Sequence, residues 1–173
     1  MLKKIYFVMI MLLMLCGCGM QRAQETVTDQ LAEPQPVEKQ QVLLTLPEQA
    51  AIPAMESTEG ALYFCEDYTV TLHTMESGDL EETLEAVTGF TKEALQLLQT
   101  QMGETDRYEC VWTAAGDGGN IVCRAAILDD GNYHYVLTAM AEEASAGTVQ
   151  SAWQTIFRSF RLRGPQEHVN SGS

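Results

Sequence analysis

The hydrophobic pattern changes character three times along the chain. Ile5 to Cys16 is an unbroken apolar run of 12 residues behind Lys3 and Lys4. As a helix it reaches about 18 Å at ~1.5 Å per residue, against about 30 Å of hydrocarbon in a bilayer. That is too short to span and matches the apolar region of an export signal. Residues 19–58 then show no sustained period. No aromatic residue occurs from Val8 to Leu62, and four of the five prolines fall between Pro34 and Pro53. A segment of this composition buries too little to offset the entropy of ordering. It is predicted to be a flexible tether, with an end-to-end distance of about 35 Å for forty residues. Gln41-Val42-Leu43-Leu44-Thr45-Leu46 is open to another reading, an edge strand of the body.

From residue 59 the period becomes two. Tyr68, Val70 and Leu72 alternate with Thr69, Thr71 and His73, and Ala61 to Cys65 is predicted to pair with this strand across Glu66-Asp67. Tyr108, Cys110 and Trp112 form a second stripe, Ile121, Cys123, Ala125 and Ile127 a third, and Tyr133, Tyr135 and Leu137 a fourth. Gly116-Asp117-Gly118-Gly119 and Asp129-Asp130-Gly131-Asn132 connect them with hairpin residues that tolerate positive φ. The last three strands therefore make an antiparallel meander. Two segments have helical spacing instead. Asp79 to Val87 aligns Leu80, Leu84 and Val87, starts on Asp79 and Glu82, and stops at Gly89. Val149, Trp153, Ile156 and Phe160, with Phe157, form a longer stripe that must lie on the sheet. Lys92 to Gln99 reads as either a short helix or a strand. The fold class is α+β: an antiparallel sheet of about five to six strands packed by helices.

The predicted organisation is a signal peptide over 1–17, an anchored N-terminus and tether over 18–58, a globular domain over 59–163 and a disordered tail over 164–173. Residues 59–163 hold 11 of the 13 aromatics and no proline, enough for one modest core.

The end of the leader, Leu15-Cys16-Gly17-Cys18-Gly19, resembles the lipobox of bacterial lipoproteins, with Leu15 at −3, Gly17 at −1 and Cys18 at +1. The resemblance implies cleavage between Gly17 and Cys18 and a diacylglycerol on the Cys18 thiol, whose chains together hold a protein firmly on a membrane. The ordinary alternative is a secretory signal cut near Gly17 or Gly19. An anchor at Cys18 places the body on the extracytoplasmic face; in a cell with two membranes, Gly19 after the cysteine points to the outer one. A second resemblance covers about residues 61–162. Asn132-Tyr133-His134-Tyr135-Val136-Leu137-Thr138-Ala139-Met140-Ala141, followed by a helix closing on Ile156-Phe157-Arg158-Ser159-Phe160-Arg161-Leu162, is similar to small lipoproteins with the PsbP/Mog1-like α/β/α sandwich. These are fold motifs. The resemblance implies that architecture, without a reaction or cofactor.

Charge narrows the partners. The formal net charge is −14, and loss of Lys3 and Lys4 with the leader takes it to −16. Such a body does not neutralise phosphates, so nucleic acid is excluded as a partner, and it gains nothing from anionic headgroups. Membrane contact is expected through lipid alone, with an unknown protein or envelope component as partner.

Candidate chemistry is sparse. Cys65, Cys110 and Cys123 follow the anchor. A Cys110–Cys123 disulfide is possible if the hairpin turn centres between Gly116 and Asp117. A turn centred on Asp117-Gly118 sets Trp112 opposite Cys123 and leaves the thiols diagonal, too far apart to bond. His73 and His134 lie on the face opposite Tyr68 and Val70, His168 lies in the tail, and no Cys/His pair has metal spacing. Glu81, Glu82 and Glu85, Asp129-Asp130 and Glu142-Glu143 read as solvated acids. They lack the facing geometry of a glycosidase and the pattern of a calcium loop. No catalytic, metal or cofactor residue is assigned. The expected function is a non-enzymatic binding or accessory module at the cell envelope. The alternatives are a small-ligand or enzymatic domain using a pocket between sheet and helix, and a purely structural envelope lipoprotein.

Overall fold

A computed structural model describes residues 37–163. In chain order the elements are β1 (Val42–Leu43), β2 (Met55–Glu56), β3 (Gly60–Phe64), β4 (Tyr68–Glu76), α1 (Leu80–Thr88), β5 (Leu98–Met102), β6 (Thr105–Gly116), β7 (Gly119–Asp129), β8 (Tyr133–Glu142), α2 (Ala146–Ser159) and β9 (Arg161–Leu162). Strands β2 to β8 form one sheet in the order β2-β3-β4-β8-β7-β6-β5, each neighbouring pair antiparallel. Strands β1 and β9 pair with each other apart from it.

Alternation along the central strands feeds two cores. Tyr68, Val70 and Leu72 of β4 share a face with Tyr135, Leu137, Ala139 and Ala141 of β8 and Ala126 and Leu128 of β7. Helix α2 lies there, burying Val149, Trp153, Ile156 and Phe157, with Phe160 just beyond its end. The opposite face carries Cys110 and Trp112 of β6, Cys123, Ala125 and Ile127 of β7 and Val136 of β8. Leu84 of α1, flanked by Leu80 and Val87, closes that side. The four stripes read from the sequence thus divide between the two faces, and the result is the expected α+β sandwich.

Local signals set the helix ends. Asp79 Oδ1 accepts from the Glu81 N–H at 3.0 Å, capping α1, and Gly89 ends it at φ 76°. The β6–β7 hairpin closes on Gly116 opposite Gly119, so Asp117-Gly118 forms the turn.

Three expectations change. Residues 37–58, read as part of the tether, pack with the body among the described residues. Val42, Leu44 and Leu46 pack on the α2 core, and the Arg163 N–H donates to the Gln41 carbonyl at 2.8 Å. Upstream, the Gln40 N–H donates to the Tyr135 hydroxyl at 2.7 Å and the Tyr133 hydroxyl donates to the Val37 carbonyl at 2.8 Å. Second, Lys92 to Gln99 is neither element throughout: a 3-10 turn at Lys92–Ala94 precedes β5. Third, the sheet has seven strands, because β2 and β5 are edges that bury nothing of their own. The proposed cleavage and lipidation residues Gly17 and Cys18, and the tail over 164–173, lie outside the described residues.

Candidate functional site

Helix α2 sits over β4, β8 and β7 and leaves the outer strands of its face bare. A groove follows between the helix and β5–β6, made of two adjoining hollows of about 490 and 630 Å³ that share Glu109, Arg124 and Gln150. One half is apolar, with Leu98, Val111, Val122 and Trp153 in its walls. The other is cationic, holding Arg107, Arg124 and Arg158. Gln150, Gln154 and Arg158 stand four residues apart on one stripe of α2 and form its helical wall.

The floor is a locked ion network. Arg107, on β6, is 7% exposed. Its Nε donates to Glu109 Oε1 at 2.7 Å, and its two terminal nitrogens donate to the Phe160 and Phe157 carbonyls at 2.9 and 2.8 Å. Those carbonyls lie at the C-terminal end of α2, where a cation is favoured by the helix dipole. Arg124 on β7 donates to Glu109 Oε2 at 2.7 Å, and its guanidinium lies 4.3 Å from the Phe157 ring centroid. Burial pushes the Glu109 carboxyl up, but hydrogen bonds from Arg124 and Arg107, together with their charges, outweigh it and hold the carboxyl below its ordinary range. Both Glu109 oxygens are occupied. In the apolar half, the Trp153 indole N–H is buried without an acceptor among the described residues. Leaving such a donor unpaired costs about 1–3 kcal/mol.

The residues singled out in the sequence fall elsewhere. The possible Cys110–Cys123 disulfide does not form: Cys110 faces Ala125, Trp112 faces Cys123, and both thiols are free. The turn on Asp117-Gly118 sets this diagonal register. Burial pushes both thiols up, which makes them poor nucleophiles. His73 is exposed, whereas His134 is fully buried beneath α1. His134 Nδ1 lies 2.7 Å from Thr83 Oγ1, and its Nε2 lies 3.3 Å from Ser77 Oγ and 3.4 Å from Asp129 Oδ2. Thr83 of α1 holds one nitrogen of this buried ring, and Ser77 and Asp129 meet the other, so the imidazole clamps α1 to the sheet. His134 does lie on the face opposite Tyr68 and Val70, and α1 covers it there. Asp129 and Asp130 serve their turn, accepting from the Gly131 N–H at 2.8 Å and from the Asn132 and Tyr133 N–H groups at 2.9 and 2.8 Å. Glu143 accepts from Asn120 Nδ2 at 3.0 Å. Among the described residues, no three His, Cys, Asp or Glu side chains are grouped to hold a metal, and no helix is long and apolar enough to cross a membrane.

Sequence reasoning missed the groove. Its signal was present in the parity of β6 and β7: Arg107, Glu109 and Arg124 alternate against the Tyr108, Cys110 and Cys123 stripes, putting three charges on a face that also carries a helix.

No family model matches the chain, and no curated protein does. Solved structures do. The chain is similar to LpqN of Mycobacterium tuberculosis, described as involved in cell envelope biogenesis, at 14% identity and a TM-score of 0.50, over 75% of this chain and 87% of that one. It is also similar to cyanobacterial PsbP from Synechocystis, at 12% identity and a TM-score of 0.45, over 70% of this chain and 82% of that one. The Ran-binding protein Mog1p of Saccharomyces cerevisiae aligns at 15% identity and a TM-score of 0.43, over 70% of this chain and 89% of that one. At these identities the likeness is one of fold, and the fold is the α+β sandwich described above.

Proposed function

We propose that this protein is a non-enzymatic binding or accessory module, held by lipid at Cys18 on the extracytoplasmic face of a membrane, where it engages a protein or other envelope component. The observation that carries this reading is the groove beside α2. Its acid is neutralised on both oxygens, by Arg107, which is tied to the helix end, and by Arg124, which stacks on Phe157, so the site is built to present fixed charge rather than to exchange protons. The likeness to LpqN, a protein of envelope biogenesis, supports the same setting. One structural feature favours a second reading, a small-ligand site: the hollows of about 490 and 630 Å³ lie within the range of ligand pockets.

Photo-crosslinking in intact membranes tests the choice. A crosslinker at Leu98, in the groove, and another at Phe64, an exposed residue outside it, are compared. A discrete protein adduct from Leu98 and not from Phe64 supports the module. Adducts of equal yield from both, or turnover of an envelope substrate by the purified protein, overturn it.

A further inference from the structure

The groove has an open side, and that side is a strand edge. In the seven-stranded sheet β5 pairs only with β6, and all five of its residues, Leu98-Gln99-Thr100-Gln101-Met102, are exposed. The hairpin into β6 has two loop residues, Gly103 at φ 67° and Glu104, closed by the Met102–Thr105 pair. In such a hairpin the closing pair exchanges both backbone bonds, and alternate residues turn theirs away. Gln99 and Gln101 therefore direct their N–H and C=O groups outward. Natural edge strands are blunted by lysine, proline, bulges or brevity; β5 contains neither lysine nor proline and runs five residues. On the α2 side, Leu98, Thr100 and Met102 border the groove directly.

Charge selects the occupant. In a chain of net charge −14, residues 37–163 contain seven lysines and arginines, and three of these, Arg107, Arg124 and Arg158, line the groove. Glu109 is the one acid among the lining residues, and Arg107 and Arg124 occupy both its oxygens. Arg158 is exposed on the helical wall.

Resting on the reading of this protein as a binding module, we propose that β5 accepts an extended acidic segment of a partner protein as an added strand. Gln99 and Gln101 hold its backbone. Its alternate side chains lie along the open side of the groove, apolar ones against Leu98 and Met102 and a carboxylate against Arg158. Main-chain pairing sets the affinity and the groove sets the preference for acid.

The test sorts a displayed library of random octapeptides on the full chain, solubilised from its host membrane in mild detergent. Enrichment of sequences alternating Asp or Glu with Val, Ile or Leu is expected. The best of these, measured by fluorescence anisotropy, should lose at least tenfold in affinity with Arg158→Glu and with Gln101→Pro, which removes an outward N–H but no bond to β6. Its binding should also weaken from about 0.05 to 0.5 M salt, as pairs become screened. Arg158→Glu changes an exposed helix position, so it reports even if the proline variant does not fold. No enrichment, enrichment without acidic residues, or affinity unmoved by Arg158→Glu overturns the proposal. So does a dimer abolished by Gln101→Pro, which would assign the edge to a second copy. If the peptide arm fails while the Leu98 crosslink to a membrane protein persists, the module reading stands and only the acidic-strand mode falls.

Discussion

Replacing Arg107 by methionine keeps the volume of the side chain and removes its charge. The wild-type guanidinium makes three short hydrogen bonds while only 7% exposed: one to Glu109 and one each to the Phe157 and Phe160 carbonyls. The substitution leaves two carbonyls at the end of α2 without that partner and Glu109 with Arg124 alone. Breaking a buried ion pair from one side costs about 3–5 kcal/mol, a large share of the ~5–15 kcal/mol that stabilises an ordinary domain. Urea unfolding followed by the fluorescence of Trp112 and Trp153, both buried, reads the loss. With a slope of about 2 kcal/mol per molar urea, the midpoint falls by about 2 M. The double variant Arg107→Met, Glu109→Gln should fall further, because Arg124 then loses its carboxylate as well. Acid supplies an independent reading. The Glu109 carboxyl is held below its ordinary range. Its contribution is therefore complete above about pH 4.3, the unfolded value, and is lost as pH falls through the lower folded value. Glu109→Gln removes that acid-limb slope. A loss below ~1 kcal/mol for Arg107→Met, with the acid limb unchanged in Glu109→Gln, would refute the locked network.

Other consequences are as concrete. Phe157→Ala opens the α2 core beneath Arg124 and should cost about 3–5 kcal/mol in the same urea assay; a loss under ~1 kcal/mol would show that Phe157 is not packed as described. Val42→Asp places a charge in the strap that covers the end of α2 and should lower the melting temperature, whereas an unchanged value would return residues 37–58 to a free tether. Burial, opposed by the Gln40 N–H and reinforced by Asp130, pushes the Tyr135 hydroxyl up to about 12. Its stabilisation is thus complete below about pH 10 and declines as pH rises toward the folded value; Tyr135→Phe should flatten that alkaline decline. Alkylation of the unfolded, non-reduced protein should modify Cys65, Cys110 and Cys123 alike, and protection of Cys110 and Cys123 would show the disulfide that the register forbids.

How much was legible follows from where the information resides. The β4 stripe of Tyr68, Val70 and Leu72 and the α2 stripe of Val149, Trp153, Ile156 and Phe157 are periodic, and each packs in the core as read. Asp79 and Gly89 mark the ends of α1 by local chemistry alone. Nothing local shows that the Tyr68 and Tyr108 stripes face opposite cores, because that depends on which strands become neighbours. The segment Gln41 to Leu46 was ambiguous for the same reason: Val42, Leu44 and Leu46 are too few to order themselves and are ordered by the end of α2. β5 alternates only weakly, Leu98, Thr100 and Met102 against Gln99 and Gln101, and all five residues are exposed. His134 is polar by type, yet its surroundings come from α1 folding back over the sheet. The groove is the extreme case. Arg107, Glu109 and Arg124 are separated in sequence and become a site only through the β6–β7 register and the end of α2.

In the proposed reading the folded, acidic body is tied to a membrane through a single acylated thiol. Metabolic labelling with an alkyne fatty acid, followed by detergent phase separation, tests this directly on the wild type and Cys18→Ser. The expected result is a labelled wild type in the detergent phase and an unlabelled, unanchored Cys18→Ser protein. Label on Cys18→Ser, with undiminished recovery in detergent, would contradict it.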